Sequence, residues 1–327
     1  MHKCYEAGPQ EAGQRLDRYL AEQEPEISRS YLQKLIREGC VLADGKPVKA
    51  GMKLSPGTQI TLSLPEAKEP EILPEELPLD ILYEDSDVIL INKPKGMVVH
   101  PSAGHYTGTL VNALLFHCQG ELSGINGVLR PGIVHRIDKD TTGVLIACKN
   151  DRAHNALAEQ LKDHTITRRY RAVVCGNLKE DEGTVDAPIG RHPIERKKMA
   201  VVRTGGKRAV THYRVLERLG YVTLVECILE TGRTHQIRVH MKHIGHTLFN
   251  DSRYGGHEIL RGTRFAKYKQ FVNNCFDICP RQALHAMTLG FKHPVTGEEM
   301  DFTTPIPPDM AALIDKWRGY ISNRDLE

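Results

Sequence analysis

Long hydrophobic runs and aromatic residues are scarce in this sequence. Only 6% of the 327 residues are aromatic, and one of them is tryptophan. No apolar stretch approaches the roughly 20 residues that a membrane-spanning helix needs. The first ten residues, MHKCYEAGPQ, lack the apolar core of a secretion signal. We therefore expect a cytoplasmic protein with no membrane partner.

Cysteine patterns typical of metal sites are also missing. The eight cysteines are scattered and form no CxxC pair, whereas a structural zinc site uses four clustered ligands. Cys275 and Cys279, with His285 nearby, come closest to such a cluster, and reduced, buried thiols are the expectation there. The sequence also lacks a phosphate-cradling GxxxxGK[ST] loop. We predict neither a metal nor any other cofactor.

The net charge of +3 is too small to indicate a partner, but the charge is unevenly distributed. Between Gly190 and Arg214 there are eight lysine or arginine residues and one acidic residue, Glu195. A basic surface of this kind is able to follow phosphate groups. A solvated loop and hairpin would have the same composition, so charge alone leaves both interpretations open.

The order of helical, strand-like and proline-rich segments predicts a small N-terminal domain, a linker and a large domain. In residues 1–64, a serine-capped helix with an apolar stripe at positions 31, 32, 35 and 36 ends at Gly39, and the alternating run 59–64 predicts a strand. Residues 65–78 contain four prolines and five glutamates. This composition is typical of an extended, solvated linker.

Residues 79–327 contain many strand-like runs and few helical ones, without the strict alternation of a parallel α/β fold. We therefore expect an α+β domain built on a large, mainly antiparallel mixed sheet, in addition to a small α/β N-terminal domain. The strand-like runs are 88–91, 143–148, 171–174 and 222–225, and the helical patterns cover about 153–162, 233–243 and 308–320.

The polar stretch 132–143, GIVHRIDKDTTG, is the strongest candidate for a functional site. It places an imidazole, a guanidinium and a carboxylate within four residues, at the entry to the apolar run 143–148. Desolvating such groups is costly unless they are paired or used. A solvated ion pair in a loop is the alternative that the residues by themselves leave open.

This stretch resembles the HRLD signature of the RluA/RluD-type ribosomal large-subunit pseudouridine synthases, with isoleucine in place of leucine. Other motifs of that family follow in the same order along the chain. Residues 13–64 resemble the small S4 RNA-binding domain that many members carry. The further matching segments are Tyr83–Asp85, Ile91–Gly96, Val99–Pro101, Thr167–Ala172 and Leu229–His240.

The resemblance implies a domain arrangement, a reaction and a partner. It predicts an S4-like RNA-binding domain in residues 1–64 and a pseudouridine synthase catalytic domain in residues 79–327. The implied reaction flips a uridine out of the RNA, breaks its N1–C1′ bond and rejoins the base through C5, without a cofactor. The implied partner is large-subunit rRNA, above all its helix 69 stem-loop, or the assembling large ribosomal subunit. We expect a monomeric enzyme.

Three residues match the catalytic positions of the family. Asp138 matches the catalytic aspartate, whereas Asp140, two residues later, does not. Arg238 matches its arginine partner, which we expect to orient the carboxylate through two hydrogen bonds. Tyr170 matches the tyrosine that packs against the target base. Its hydroxyl is a candidate for moving a proton, and packing alone is the alternative.

Further residues are candidates for RNA contacts. Arg136 would fill the space that a flipped base leaves, and Arg233 would hold a phosphate at the start of the helix that carries Arg238. Lys93 either lines the RNA path or serves the structure of the domain. In the S4-like domain the candidates are Arg15, Arg29, Lys34 and Arg37, and the segment 255–280 adds His257, Arg261, Arg264 and Lys267.

Three other functions are compatible with parts of the sequence. A binding-only ribosome assembly factor would keep the S4-like domain, but it would not need Asp138, Tyr170 and Arg238. A carboxylate-dependent glycosidase or RNA glycosylase would use a second acid, which the matched motifs do not provide. A related enzyme that modifies small-subunit rRNA would have glycine at the position of His135.

Overall fold

The chain forms two compact units in the computed structural model, Met1–Glu69 and Pro70–Glu327. The structure describes residues 2–64, 72–102, 105–127, 129–258 and 266–324. The division between the units falls inside the predicted linker, residues 65–78. Residues 65–71 of that linker, and the candidate RNA contacts Arg261 and Arg264, lie outside the described part of the chain.

The first unit is built from two helices and a four-stranded antiparallel sheet. Its elements are β1 (His2–Glu6), a 3₁₀ helix (Pro9–Glu11), α1 (Leu16–Gln23), α2 (Arg29–Arg37), β2 (Val41–Ala43), β3 (Lys46–Pro47) and β4 (Gln59–Ser63). The spatial order of the strands is β1-β4-β2-β3. The Ser28 side chain accepts a hydrogen bond from Tyr31 N and caps α2. The predicted stripe is buried except for Tyr31, which is 43% exposed.

The second unit is built on a nine-stranded sheet. Its strands are β5 (Ile81–Glu84), β6 (Val88–Lys93), β7 (Thr142–Cys148), β8 (Thr167–Cys175), β9 (Glu182–Asp186), β12 (Val210–Arg218), β13 (Val222–Leu229), β14 (Leu284–Lys292) and β15 (Glu299–Thr303). A separate hairpin pairs β10 (Ile189–Arg191) with β11 (Met199–Val201).

The spatial order of the large sheet is β5-β6-β7-β14-β8-β13-β12-β9, and β15 pairs with β14. Among the described strands, β7 and β14 run parallel, and every other pairing is antiparallel. The predicted α+β fold with a large, mainly antiparallel mixed sheet is therefore confirmed.

Helices cover both faces of this sheet. They are α3 (Leu110–His117), α4 (Asp151–Lys162), α5 (Gln236–His243), α6 (Ala266–Ile278) and α7 (Pro308–Arg324). Helices α3 and α5 share a core with one face, and α4, α6 and α7 pack against the other. Helices α4, α5 and α7 match the predicted helical patterns, whereas α3 and α6 were not predicted. Across the described ranges, no helix combines the length and apolar character that crossing a membrane requires.

The last part of the predicted linker is not an extended spacer. Ile72 is buried in the core of the second unit. The Asn112 side chain donates a hydrogen bond of 2.8 Å to Leu73 O, and the Asn112 carbonyl accepts one of 3.0 Å from Glu75 N. This stretch packs on the second unit because it carries an apolar side chain, Ile72, whose transfer out of water lowers the free energy of the folded state.

Gly143 permits the parallel contact between β7 and β14. It pairs with Ala286 and has a φ of +114°, and a Cβ atom at this position would lie 2.0 Å from Ala286 O. Only glycine fits such an approach of two backbones. The end of the polar stretch 132–143 is thereby brought to the centre of the sheet.

We predict that Gly143→Ala lowers the free energy of unfolding by at least about 3 kcal/mol, because the variant must relieve both an unfavourable φ and a backbone clash. The measurement is urea unfolding followed by the fluorescence of Trp317, the single tryptophan of the chain, which is buried in the second unit. Gly205→Ala is the matched control, because Gly205 has a φ of +70° but no atom within 4 Å of its Cβ position. Equal losses in the two variants would contradict the prediction.

Candidate active site

A cavity of about 420 Å³ lies where the polar stretch 132–143 meets the sheet. Its volume is within the roughly 300–1,000 Å³ of small-molecule sites. The walls come from the loop before β7, from α4, from β8, from the end of β13 and from the start of α5, with Leu284 of β14. The lining includes Asp138, Arg168, Tyr170, Gly232, His235 and Arg238.

Asp138, Arg238 and Asp251 form a chain of ion pairs at this cavity. Arg238 Nη1 donates a hydrogen bond of 2.8 Å to Asp138 Oδ2. Arg238 Nε and Nη2 donate to the two carboxylate oxygens of Asp251 at 2.7 and 2.9 Å. The prediction that Arg238 orients Asp138 through two hydrogen bonds is therefore wrong, because the two-bond fork of the guanidinium faces Asp251 and one bond reaches Asp138.

The surroundings of Arg238 keep it charged and leave one oxygen of Asp138 unbonded. Burial acts against the charge of Arg238, but hydrogen bonding to Asp251 and the charges of both aspartates outweigh it and raise the pKa of Arg238. Asp251 is fully buried and also accepts hydrogen bonds from Arg253 N and Tyr254 N. Asp138 Oδ1 has no hydrogen bond within the described residues.

His235 lies beside this unbonded oxygen, with 3.9 Å between His235 Nε2 and Asp138 Oδ1. The Tyr254 hydroxyl accepts a hydrogen bond of 3.1 Å from Met199 N and lies 2.7 Å from His235 Nδ1. The buried Tyr254 hydroxyl has no other acceptor for its proton within the described residues, so we assign that proton to the bond with Nδ1, and the ring proton of His235 then lies on Nε2. Burial lowers the pKa of His235 to about 4. A neutral imidazole therefore presents an N–H group to Asp138.

The loop that carries Asp138, residues 135–141, is attached to the fold by a buried lysine. Lys93 Nζ donates hydrogen bonds to Lys139 O at 2.9 Å and to the carbonyls of Pro94 and Met97 at 2.7 and 2.9 Å. Burial lowers the pKa of Lys93 to about 7. The side chain is fully buried, so its position agrees with the structural interpretation of Lys93 and not with a direct contact to RNA.

A buried arginine holds the next carbonyl of the same loop. Arg281 Nη1 donates a hydrogen bond of 3.0 Å to Asp140 O, and Arg281 forms two hydrogen bonds of 2.9 Å with the Asp309 carboxylate. Two neighbouring carbonyls of the loop are thus bound to two separate parts of the second unit. The position of Asp138 relative to Arg238 is defined by these anchors.

Tyr170 lies on β8 at the cavity and is 8% exposed. Its ring belongs to the same apolar core as Ile137, Ile237 and Leu284. Burial raises the pKa of Tyr170, although the charge of Arg168 acts in the opposite direction. Tyr170 therefore offers the cavity an aromatic face and a hydroxyl that stays protonated at neutral pH.

Comparison with known proteins shows which family the chain belongs to. Residues 87–243 match the family model described as RNA pseudouridylate synthase, and residues 14–60 match the S4 domain. The sequence is 51% identical to a Bacillus subtilis protein named Uncharacterized RNA pseudouridine synthase YlyB, over 95% of this chain and 97% of that protein. The chain belongs to the RNA pseudouridine synthases.

Two further proteins support the same family. Ribosomal large subunit pseudouridine synthase D of Zymomonas mobilis is 48% identical over 96% of each chain. The structure of Human RNA Pseudouridylate Synthase Domain Containing 1 is similar with a TM-score of 0.53 and 26% identity, covering 73% of this chain and 89% of that chain. The family, the fold and the enzyme class expected from the motifs are confirmed.

In this pseudouridine synthase, two predicted RNA contacts of the catalytic unit line the cavity, namely Arg136 and Arg233. Arg136 is exposed, and its Nη1 donates a hydrogen bond of 3.0 Å to His100 Nε2. His100 Nδ1 lies 3.0 Å from Pro101 O, which assigns the His100 proton to Nδ1. Burial lowers the pKa of His100, so a neutral imidazole holds Arg136. Arg233 Nε donates to Arg208 O at 2.9 Å.

The predicted RNA contacts of the S4 unit include two arginines that share one buried carboxylate. Arg15 and Arg29 are each half exposed and form ion pairs of 3.0 Å with Asp17, which is fully buried. The hydrogen bonds from Arg15 hold the pKa of Asp17 well below its usual range despite burial. Lys34 and Arg37 are exposed near the end of α2.

The cysteine and histidine cluster considered from the sequence does not offer free ligands. Cys275 and Cys279 are buried in the apolar core beneath α7. Both ring nitrogens of His285 are engaged, with Thr142 Oγ1 at 2.9 Å and Thr304 Oγ1 at 3.1 Å. These side chains belong to the interior of the domain.

Sequence reasoning missed three residues that shape this site: Asp251, Tyr254 and Arg281. They lie outside the motifs that carry the family resemblance. The available signal was that a buried arginine requires a counter-charge, but the chain has 41 aspartates and glutamates. Only the tertiary structure selects Asp251 from among them.

We predict that Asp251→Asn lowers the rate of pseudouridine formation by roughly 100-fold, because loss of the fork displaces Arg238 from its position beside Asp138. In this variant Arg238 is free to bind both oxygens of Asp138. It would then occupy Oδ1, the oxygen that has no hydrogen bond within the described residues of the wild type. The measurement is a single-turnover rate with saturating enzyme. Asp163→Asn, at an exposed aspartate, is the control, and a rate for Asp251→Asn equal to that of this control would disprove the role of Asp251.

Three histidines with strongly lowered pKa values predict a loss of stability in mild acid. Burial lowers the pKa of His135 to about 3 and those of His235 and His285 to about 4. In the unfolded chain each histidine titrates near pH 6.5. As the pH falls from about 6.5 towards 4, the unfolded state therefore binds protons that the folded state does not, and stability decreases.

We expect these three histidines together to lower the free energy of unfolding by up to about 4 kcal/mol per pH unit in this window, at about 1.4 kcal/mol for each. Urea unfolding followed by Trp317 fluorescence at several pH values measures the slope. His285→Gln removes one of the three histidines and should reduce the slope by up to about 1.4 kcal/mol per pH unit. A stability that does not change below neutral pH would contradict the expectation.

Proposed function

We propose that this enzyme converts uridines of large-subunit ribosomal RNA to pseudouridine, with the helix 69 stem-loop as its target and Asp138 as its nucleophile. The relative named Ribosomal large subunit pseudouridine synthase D supports this substrate, because it is similar along nearly the whole chain. The observation that carries the proposal is the state of Asp138. Arg238 binds one carboxylate oxygen, while the other has no hydrogen bond within the described residues and remains available for attack.

The proposed reaction is an isomerisation inside the cavity. With the help of Asp138, the N1–C1′ bond of the target uridine breaks, the uracil rotates, and C5 forms the new bond to C1′. The proton on C5 leaves and N1 takes one up, so the product has the mass of the original nucleotide. The cavity of about 420 Å³ encloses the base while it is detached.

Tyr170 and His235 support different parts of this reaction. The Tyr170 ring provides a stacking surface for the uracil. Its protonated hydroxyl donates a hydrogen bond to the base as negative charge develops on the departing uracil. The neutral His235 holds its Nε2–H towards Asp138 and positions the carboxylate without adding a positive charge.

Two groups of arginines hold the RNA in this proposal. Extruding a base from a stem-loop costs a few kcal/mol, and Arg136, held by His100, fills the vacated space. Arg15 and Arg29, held by Asp17, bind the RNA backbone together with Lys34 and Arg37. The substrate is naked rRNA or the assembling large subunit, and the enzyme acts as a monomer.

The lining of the cavity argues against base removal without rejoining. A glycosidase uses a second acid to protonate the leaving group. Asp138 is the one carboxylate among the cavity-lining residues in the described part of the chain. The site therefore suits a reaction in which the base stays bound and returns to C1′.

We predict that wild-type enzyme creates discrete carbodiimide-dependent stops in primer extension along large-subunit rRNA, and that Asp138→Asn creates none. Asparagine keeps the shape of the side chain and removes its charge. Stops within the helix 69 stem-loop are the expected result, on naked rRNA or on precursor subunits. Measurable turnover by Asp138→Asn would exclude Asp138 as the nucleophile, and stops at other positions only would exclude helix 69 as the target.

A further inference from the structure

Arg168 is a buried cation without a carboxylate partner. The residue is 6% exposed, and no ion pair involves it within the described residues. Its Nη2 donates a hydrogen bond of 2.8 Å to Glu230 O, and its Nε has no hydrogen-bond partner. A buried charge is normally paired. The other buried arginines of this unit, Arg238 and Arg281, follow that rule.

The guanidinium of Arg168 lies at the catalytic cavity. Arg168 lines this cavity together with Asp138 and Tyr170. It precedes Tyr170 by two residues on β8, and strand alternation places both side chains on the same face of the sheet. A Cβ atom at Gly232 would lie 2.7 Å from Arg168 Nη1. The guanidinium therefore lies directly against the backbone of Gly232.

The loop next to this guanidinium carries backbone donors that the protein does not use. The N–H groups of Gly232, Thr234 and His235 make no hydrogen bond within the described part of the chain. The loop precedes α5, and the N-terminal end of a helix carries a partial positive charge. Arg233 lines the same cavity. Positive charge and unused N–H groups are the properties of an anion-binding site.

We propose that Arg168 and the loop 232–235 form a subsite for a phosphate group of the RNA, next to the flipped uridine. The identity of the occupant rests on the proposed function. A phosphate supplies both the negative charge and the several acceptors that this wall of the cavity lacks. A uracil carbonyl would accept a hydrogen bond from Arg168 without compensating its charge, so the phosphate matches the site better.

The subsite is tested first with small ligands, because their binding does not require rRNA modification. Isothermal titration calorimetry of the full chain compares uridine 5′-monophosphate, inorganic phosphate and uridine. Arg168→Gln removes the charge and keeps a donor for Glu230 O. Arg169→Gln is the matched control, because Arg169 is the next residue of β8, points to the opposite face and lies 3.7 Å from Glu226.

We expect wild-type enzyme to bind the monophosphate more tightly than uridine and to bind inorganic phosphate. Arg168→Gln should weaken binding of the monophosphate by roughly tenfold or more, as expected for a lost charge-assisted hydrogen bond. Arg169→Gln should bind like the wild type. Arg168→Lys keeps the charge and should retain most of the affinity, which separates the loss of charge from a disturbed fold.

A second measurement uses the rRNA substrate. In Arg168→Gln, the slope of the logarithm of rRNA affinity against the logarithm of salt concentration should decrease by about one, as for one lost phosphate contact. The variant should unfold at a temperature no lower than the wild type, because it removes an unpaired buried charge. A purely structural role would instead lower the unfolding temperature and leave ligand binding unchanged.

The outcomes separate a failure of the proposed subsite from a failure of the proposed substrate. Equal monophosphate binding by wild type and Arg168→Gln, or no binding of monophosphate or phosphate by the wild type, would overturn the subsite. Loss of monophosphate binding in Arg168→Gln, together with no modification of rRNA by the wild type, would keep the subsite and reject large-subunit rRNA as the substrate.

Discussion

The Arg238 guanidinium lies between two carboxylates from different parts of the chain, and the geometry of the candidate active site depends on this contact. Asp251 is fully buried and takes the fork formed by Nε and Nη2, so the remaining direction, along Nη1, meets Asp138. Since a guanidinium is planar and its N–H directions are fixed relative to one another, α5, the turn at Asp251 and the Asp138 loop are held as one body. Tyr254 extends this unit, because its ring lies 5.0 Å from Arg238 Cζ and its hydroxyl contacts His235.

The buried cations of the second unit, Pro70–Glu327, have two different kinds of surroundings. Lys93 donates hydrogen bonds to three carbonyls, and Arg281 forms an ion pair with Asp309. Both also donate to carbonyls of the Asp138 loop, which fixes the conformation of that loop. Arg168 has no ion pair within the described residues, and its Nε has no hydrogen-bond partner there. An unpaired charge held by rigid surroundings suits the binding of an anionic polymer. Groups that are already ordered lose little entropy when the substrate binds.

Much of the fold was predictable because it follows local periodicity. Helix α2 was predicted from its apolar stripe and its serine cap, and the strands β6, β7, β8 and β13 from short apolar runs. Helix α3 was missed because its own apolar residues are distributed around the whole helix axis. It therefore lacks the one-sided apolar pattern that identifies a surface helix. The end of the predicted linker was misplaced because its composition is that of a spacer, while a single buried side chain, Ile72, attaches it to the large unit.

The sequence by itself determined the family and the enzyme class, and it indicated Asp138, Tyr170 and Arg238, because the motifs that carry them are contiguous and keep their order along the chain. Only the tertiary structure decided what surrounds these side chains: the fork of Arg238 on Asp251, the contact of His235 with Tyr254 and the burial of Lys93. The physical reason is that these features depend on groups far apart in sequence, such as Asp138 and Arg238, which are 100 residues apart. Local patterns describe which face of an element is buried, whereas the order of the strands and the path of the loops decide which charges meet.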